Sequence, residues 1–125
     1  MCIRDRVIVE GQGSILHPGS SATLPLMRGT CPTHMILCHI ARNNSLRSLE
    51  NIRIPDLYRF IELNEQLASV IGTYPNAKVI GVALNTIQMD DNEAVEMIKK
   101  VEANTGLPST DVIRYGGDKI FDKLL

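Results

Sequence analysis

Short, unbroken apolar runs alternate along this chain with longer stretches in which apolar residues recur at helical spacing. The first run, Val7-Ile8-Val9, is β-branched and shows no alternation, as expected of a strand buried on both faces of a parallel sheet. Similar runs follow at His34 to His39 and at Lys78 to Leu84, and Asp111-Val-Ile-Arg114 reads as a short last strand. Helical stretches lie between them. Ser20 or Ser21 is placed to cap a helix through about Arg28, with Leu24, Leu26 and Met27 inward. Pro55 suits the first turn of a second helix, in which Leu57, Phe60, Ile61, Leu67, Ala68 and Ile71 form one face before Gly72. A third is capped by Asp90 or Asp91, carries Ala94, Val95, Ile98 and Val101, and stops at Gly106 and Pro108. Gly116-Gly117 leads into a closing helical turn that packs Ile120, Phe121 and Leu124 inward, and the polar segment from Ile40 to Arg53 reads as a loop. Strand and helix alternate throughout. The expected fold class is therefore α/β, a parallel sheet flanked by helices with right-handed crossovers.

In such a sheet the loops leaving the carboxyl ends of the strands share one rim, where ligands bind. The first loop supplies Glu10, Gly11, Gly13, Ser14 and His17; the second His39 and Arg42; the third Asn85 and Thr86; the fourth Arg114. A carboxylate, imidazoles, guanidiniums and an amide in one crevice bind anionic substrates and move protons. Glu10, at the end of its strand, is a candidate ligand for Mg²⁺ beside a phosphate. Plainer roles stand beside each of these. His17 before Pro18 suits a turn, His39 a hydrogen-bonded strand end, Arg42 a solvated surface, and Asn85 a turn cap.

The 125 residues suffice for one modest domain, and 44% apolar with 22% charged residues is an ordinary globular composition. A net charge of −1 with scattered basic residues points away from nucleic acid. No apolar stretch is long enough to span a bilayer, and the chain reads as cytoplasmic. Cys2, Cys31 and Cys38 are too few and too odd in number for a disulfide framework, and the grouping Cys31, His34, Cys38 and His39 matches no common zinc spacing. Neither a GxxxxGK[ST] phosphate loop nor a GxSxG nucleophile elbow occurs. The opening MCIRDR has no cap and no apolar period, and it resembles the in-frame translation of a transposon-end sequencing tag. Residues 1–6 are accordingly read as non-native.

The motifs VIVEGQGSILHP, LCHIAR, IGVALNT and TGLPSTDVIRYGG, in this order, resemble a bacterial and archaeal family of P-loop-like proteins classed as a domain of unknown function. Some of its members are described as D-glutamate N-acetyltransferases, and the resemblance covers essentially all of residues 7–125. More distantly, the chain is similar to dethiobiotin synthetase-like enzymes, in which an acidic residue before a glycine turn stands near Mg²⁺ and an asparagine after a later strand contacts the purine. Glu10 and Asn85 match those two positions, and Thr86 follows Asn85. The resemblance implies a P-loop NTPase-like (Rossmann-like) domain whose first strand and phosphate loop lie upstream, so residues 7–125 would be its C-terminal portion, inactive alone. An open sheet edge would favour association, including a homo-oligomer.

The activity implied is N-acetylation of a small acidic amino acid, D-glutamate, by acetyl-CoA. Glu10, His17 and His39 are the catalytic candidates, with His17 or His39 as base. Arg42 and Arg114 are placed to bind substrate carboxylates, Gly11, Gly13 and Ser14 to bind the substrate through backbone donors, and Asn85 and Thr86 to hold the cofactor. The alternatives are an ATP- and Mg²⁺-dependent ligase or kinase with Glu10 at the metal, and a nucleotide-binding module without catalysis.

Overall fold

The structure, a computed structural model, describes residues 6–46 and 48–124. In chain order the elements are α1 (Thr23–Thr30), β1 (His34–Ile40), β2 (Ser45–Leu46), β3 (Leu49–Arg53), α2 (Leu57–Ser69), β4 (Lys78–Asn85), α3 (Asp91–Thr105), β5 (Ser109–Thr110), α4 (Val112–Tyr115) and α5 (Asp118–Phe121). Strands β1, β4 and β5 make a three-stranded parallel sheet in that order, and β2 pairs with β3 as an antiparallel hairpin. The chain is α/β, as its pattern predicts. A sheet that grows in one direction through crossovers of one hand carries its helices on one face. Ile61 of α2 and Ile98 and Val101 of α3 accordingly pack together on Val79, Val82 and Leu84 of β4, with Met35 and Leu37 of β1 against them. His39 continues that inward row at the carboxyl end of β1, whereas Ile36, Cys38 and Ile40 face outward and are exposed.

Each long helix also anchors the strand that follows it. Met35 pairs with Val79 but Ile36 pairs with Gly81, so Ile80 is an extra residue in β4 at that step. The N–H of Val79 donates instead to the Glu65 carboxylate of α2 at 2.9 Å, and Lys78 Nζ lies 3.1 Å from the second oxygen of the same group. In α3, Glu102 repeats the arrangement. Its carboxylate accepts the N–H of Ser109 at 3.0 Å and pairs with Lys119. Both strand starts are thus tied by a charge-assisted bond.

Several expectations from the sequence are corrected. Val7 to Val9 form no strand; Val7 and Ile8 are 90% and 88% exposed, because no described segment pairs with them and an unpaired strand has no ladder to hold it. The polar segment after Ile40 is not a plain loop but contains the β2–β3 hairpin. Neither Ser20 nor Ser21 caps α1, which starts after Ala22 without a side-chain cap, and Leu26 stays exposed. The cap of α2 is Asp56, so Pro55 precedes the helix; the helix ends at Ser69, and Ile71 is exposed in a left-handed conformation. Val95 and Phe121 are also exposed, and of the closing turn only Ile120 is fully buried. Asp111 to Arg114 is not a strand, since β5 is Ser109–Thr110 and Asp111 begins α4. Residues 1–5 of the opening hexapeptide lie outside the described residues.

Asp111 holds the carboxyl rim of the sheet together. It is 4% exposed, and its Oδ2 accepts both the N–H (2.9 Å) and the hydroxyl of Thr86. Its Oδ1 accepts the N–H groups of Ile113 and Arg114, at 3.0 and 3.2 Å, which caps α4. Arg114 then reaches back to the carbonyls of Thr86 and Met89 and to Asp91. The exits of β4 and β5 are one hydrogen-bonded unit. Burial alone would raise the Asp111 carboxyl, but the bonds from Thr86, Arg114 and Ile113 outweigh it and hold the group below the ordinary carboxylate value.

Two outcomes follow for stability. At Gly81 an added Cβ would lie 2.8 and 2.9 Å from Ile120 side-chain carbons and 3.0 Å from the Pro108 carbonyl oxygen. Gly81→Val is therefore expected to cost about 1–3 kcal/mol by overpacking, measured by urea unfolding. Asp111→Asn turns an acceptor into a donor facing N–H groups, and a loss of about 2 kcal/mol is expected at pH 7. Because the folded-state pKa of Asp111 is lowered, its contribution is present above the unfolded value and lost as pH falls through the folded one. The stability gap between wild type and Asp111→Asn should narrow below about pH 4.

Candidate functional site at the carboxyl rim of the sheet

The pairing of Ile40 with Asn85, and of Ala83 with Thr110, brings the exits of β1, β4 and β5 to one edge. The Ala41 N–H donates to the Asn85 carbonyl at 3.0 Å, and Ala41 is buried with Met89 and Ala94 beneath this edge. Three of the four loops expected to share a rim are therefore side by side. Their polar side chains mostly bind one another. Arg42, left-handed at φ 68°, pairs with Glu93, which also completes the capping box of α3 with Asp90. Asn85 is exposed and its Oδ1 accepts the Ile87 N–H at 3.0 Å, leaving the amide NH₂ as its outward donor. Thr86 is 1% exposed and bonded to Asp111, so its side chain supports the loop and does not face a cofactor. The donors of Arg114 are likewise directed at Thr86, Met89 and Asp91.

His39 differs from these. No side-chain hydrogen bond engages its ring among the described residues, and it is half-buried, next along the inward face from Leu37. Burial away from water lowers its pKa below the ordinary imidazole value. A neutral imidazole at the end of a strand, beside the loops of the rim, is suited to accept a proton.

The glycine-rich loop lies against the hairpin that follows β1. Gly13, Ser14, His17, Gly19 and Ser20 line an open hollow of about 380 Å³ closed on one side by Leu46 of β2. Gly13 is required there: its φ is +90°, and a Cβ would stand 2.0 Å from Ser20 Oγ. Ser20 Oγ accepts the Ser14 N–H at 3.1 Å and bonds Thr23 Oγ1 at 2.7 Å, and Thr23 Oγ1 donates to the Gln12 carbonyl at 3.2 Å. The expected set of backbone donors from Gly11 to Ser14 is shortened by one, since the Ser14 N–H is spent. His17 Nδ1 accepts the Gly19 N–H at 3.0 Å, which fixes the turn around Pro18. Glu10 is exposed in an extended stretch with no strand before it. Among the described residues no three His, Cys, Asp or Glu side chains converge on a metal-sized site. Asp111, which sequence reading assigned to a strand, is the missed residue; an aspartate two and three positions ahead of the N–H groups it accepts is a helix-cap signal that its β-branched neighbours obscured.

The crystal structure of a DUF1611 family protein from Anabaena variabilis, at 2.30 Å resolution, is 46% identical with a TM-score of 0.89, over 92% of this chain and 34% of that one. A protein of Tritonibacter scottomollicae named D-glutamate N-acetyltransferase is 33% identical over 118 residues, 94% of this chain and 35% of that protein. A protein of the same name from Pseudoalteromonas sp. is 31% identical over the same length and shares. The chain thus spans about a third of the length of the curated relatives it matches. No helix among the described residues is long and apolar enough to cross a membrane. Residues 3–121 match the family described as a domain of unknown function, DUF1611, P-loop domain, and the chain belongs to that family.

Proposed function

We propose that this chain is the C-terminal part of a cytoplasmic enzyme that N-acetylates D-glutamate from acetyl-CoA. The observation that carries the reading is the similarity, along 118 residues, to two relatives that bear that name. The rim supplies groups that suit the chemistry. An ammonium must lose a proton before its nitrogen can attack the thioester carbonyl; a tetrahedral oxyanion forms, and its collapse expels the coenzyme A thiolate. His39, kept neutral by burial, takes that proton. Arg42 meets Glu93 at the surface, with both side chains nearly half exposed, and such a pair exchanges readily for a substrate carboxylate. The N–H groups of Gly11, Gln12 and Gly13, which no described partner takes, would serve as donors to the oxyanion. Arg114 is a positioning residue that holds the Thr86 to Asp91 loop beside Asn85, whose amide NH₂ would serve the cofactor.

The P-loop description of the family favours a second reading, an ATP- and Mg²⁺-dependent ligase or kinase. Its metal would rest on Glu10, which stands exposed without a second convergent carboxylate among the described residues. The described donor set does not by itself fit a divalent ion.

In the full-length polypeptide, His39→Gln is expected to lower kcat for acetyl transfer about 100-fold with KM within about threefold. Wild-type kcat/KM should show an acid limb below the ordinary histidine range, about pH 6.5, and that limb should vanish in the variant. Arg42→Lys should raise KM for D-glutamate about tenfold. Unchanged kcat/KM in both variants would remove the β1 loop from the mechanism.

A further inference from the structure

In the hollow between the glycine-rich loop and the hairpin, the hydrogen bonds show which side-chain protons are already committed. A backbone N–H has only its proton to offer, so the nitrogen that accepts it carries none. His17 Nδ1 accepts from Gly19, and the neutral ring therefore bears its proton on Nε2. Ser14 Oγ accepts the Leu16 N–H at 3.2 Å, and its own proton is not engaged by any described partner. Ser20 has no further proton to offer. The Thr23 hydroxyl gives its single proton to the Gln12 carbonyl, so in the Ser20–Thr23 bond Ser20 is the donor, while its oxygen accepts from Ser14 N–H. Among the side chains lining the hollow, beside the apolar Leu46, Ser14 Oγ–H and His17 Nε2–H are the protons that no described partner takes.

We infer that this hollow binds a carboxylate, held by the Ser14 hydroxyl and the Nε2–H of His17, and that His17 is a hydrogen-bond donor and not the base. The inference rests on the proposed acceptor only in naming whose carboxylate is held: the side-chain carboxylate of an acidic amino acid. It also separates the two histidines. The ring without a side-chain partner, His39, is left as the proton acceptor, and the ring whose Nδ1 is already occupied anchors the substrate.

The test uses the full-length polypeptide labelled with ¹⁵N at histidine. The expected spectrum shows a protonated Nε2 and an unprotonated Nδ1 for His17 at pH 8, and titration with glutarate, a dicarboxylate with no amino group, shifts the Nε2 resonance. A protonated Nδ1, or no shift at saturating glutarate, overturns the inference. Kinetics supply a second readout. Ser14→Ala and His17→Ala should each raise KM for the acidic acceptor about tenfold, the loss of one hydrogen bond to a charged group. His17→Asn, whose Oδ1 can take the Gly19 N–H while its NH₂ donates outward, should recover most of that loss. Asn cannot accept a proton at neutral pH, so a His17→Asn enzyme as impaired as His17→Ala would make His17 the base and sink the assignment. If the tautomer and the glutarate shift are found but wild type does not acetylate D-glutamate, the proposed function fails and the carboxylate site stands.

Discussion

The buried carboxylate of Asp111 is the constraint on which the rim depends. A group with an exposure of 4% must have its lone pairs filled, and here four donors from two loops converge on it. Two of them come from Thr86, at the exit of β4, and two from α4, so the two loops have one relative position. Arg114, itself fixed by the same cap, closes the ring by binding the carbonyls of Thr86 and Met89. A third exit, that of β1, is joined through Ala41 to Asn85 and through Arg42 to Glu93. The rim is a preorganised platform because its polar groups satisfy one another first and face outward second.

That division sorts the candidate residues by what they have left to give. Thr86 and Arg114 are spent on the scaffold, and Asn85 is half spent. His39 retains its ring, half-buried with its pKa lowered by burial, and the glycine-rich loop retains one hydroxyl proton and one imidazole proton. In an acyl transfer from a thioester to an amine, a neutral base and a separate carboxylate anchor are the two things the acceptor needs. In the proposed reaction the two histidines would take these roles in opposite ways, and the difference comes from one hydrogen bond, Gly19 N–H to His17 Nδ1.

Much of the architecture was legible in the residues. β1 and β4 are apolar runs bounded by turns, and α3 carries its capping aspartate, its helical face and its glycine stop in full view. The misreadings have physical causes. Val112 and Ile113 have strong β propensity, but Asp111 supplies a cap and two hydrogen bonds that favour a helical turn, and tertiary bonding overrides local preference. Val7 to Val9 have the composition of a strand, yet a strand exists only against a partner, and the described chain provides none. The hairpin after Ile40 lacks a diagnostic turn dipeptide, so its polar residues read as loop. The residue pattern brought the exits of β1, β4 and β5 to one edge, as their pairing shows; which donors were already consumed could be known only from coordinates.

The central claim is tested most directly by measuring coenzyme A thiol release by the full-length polypeptide with acetyl-CoA and D-glutamate, in the presence and absence of ATP. The account predicts thiol release that requires D-glutamate, yields N-acetyl-D-glutamate in equal amount and is indifferent to ATP. Absence of D-glutamate-dependent thiol release, or a reaction that proceeds only when ATP is hydrolysed, would contradict it.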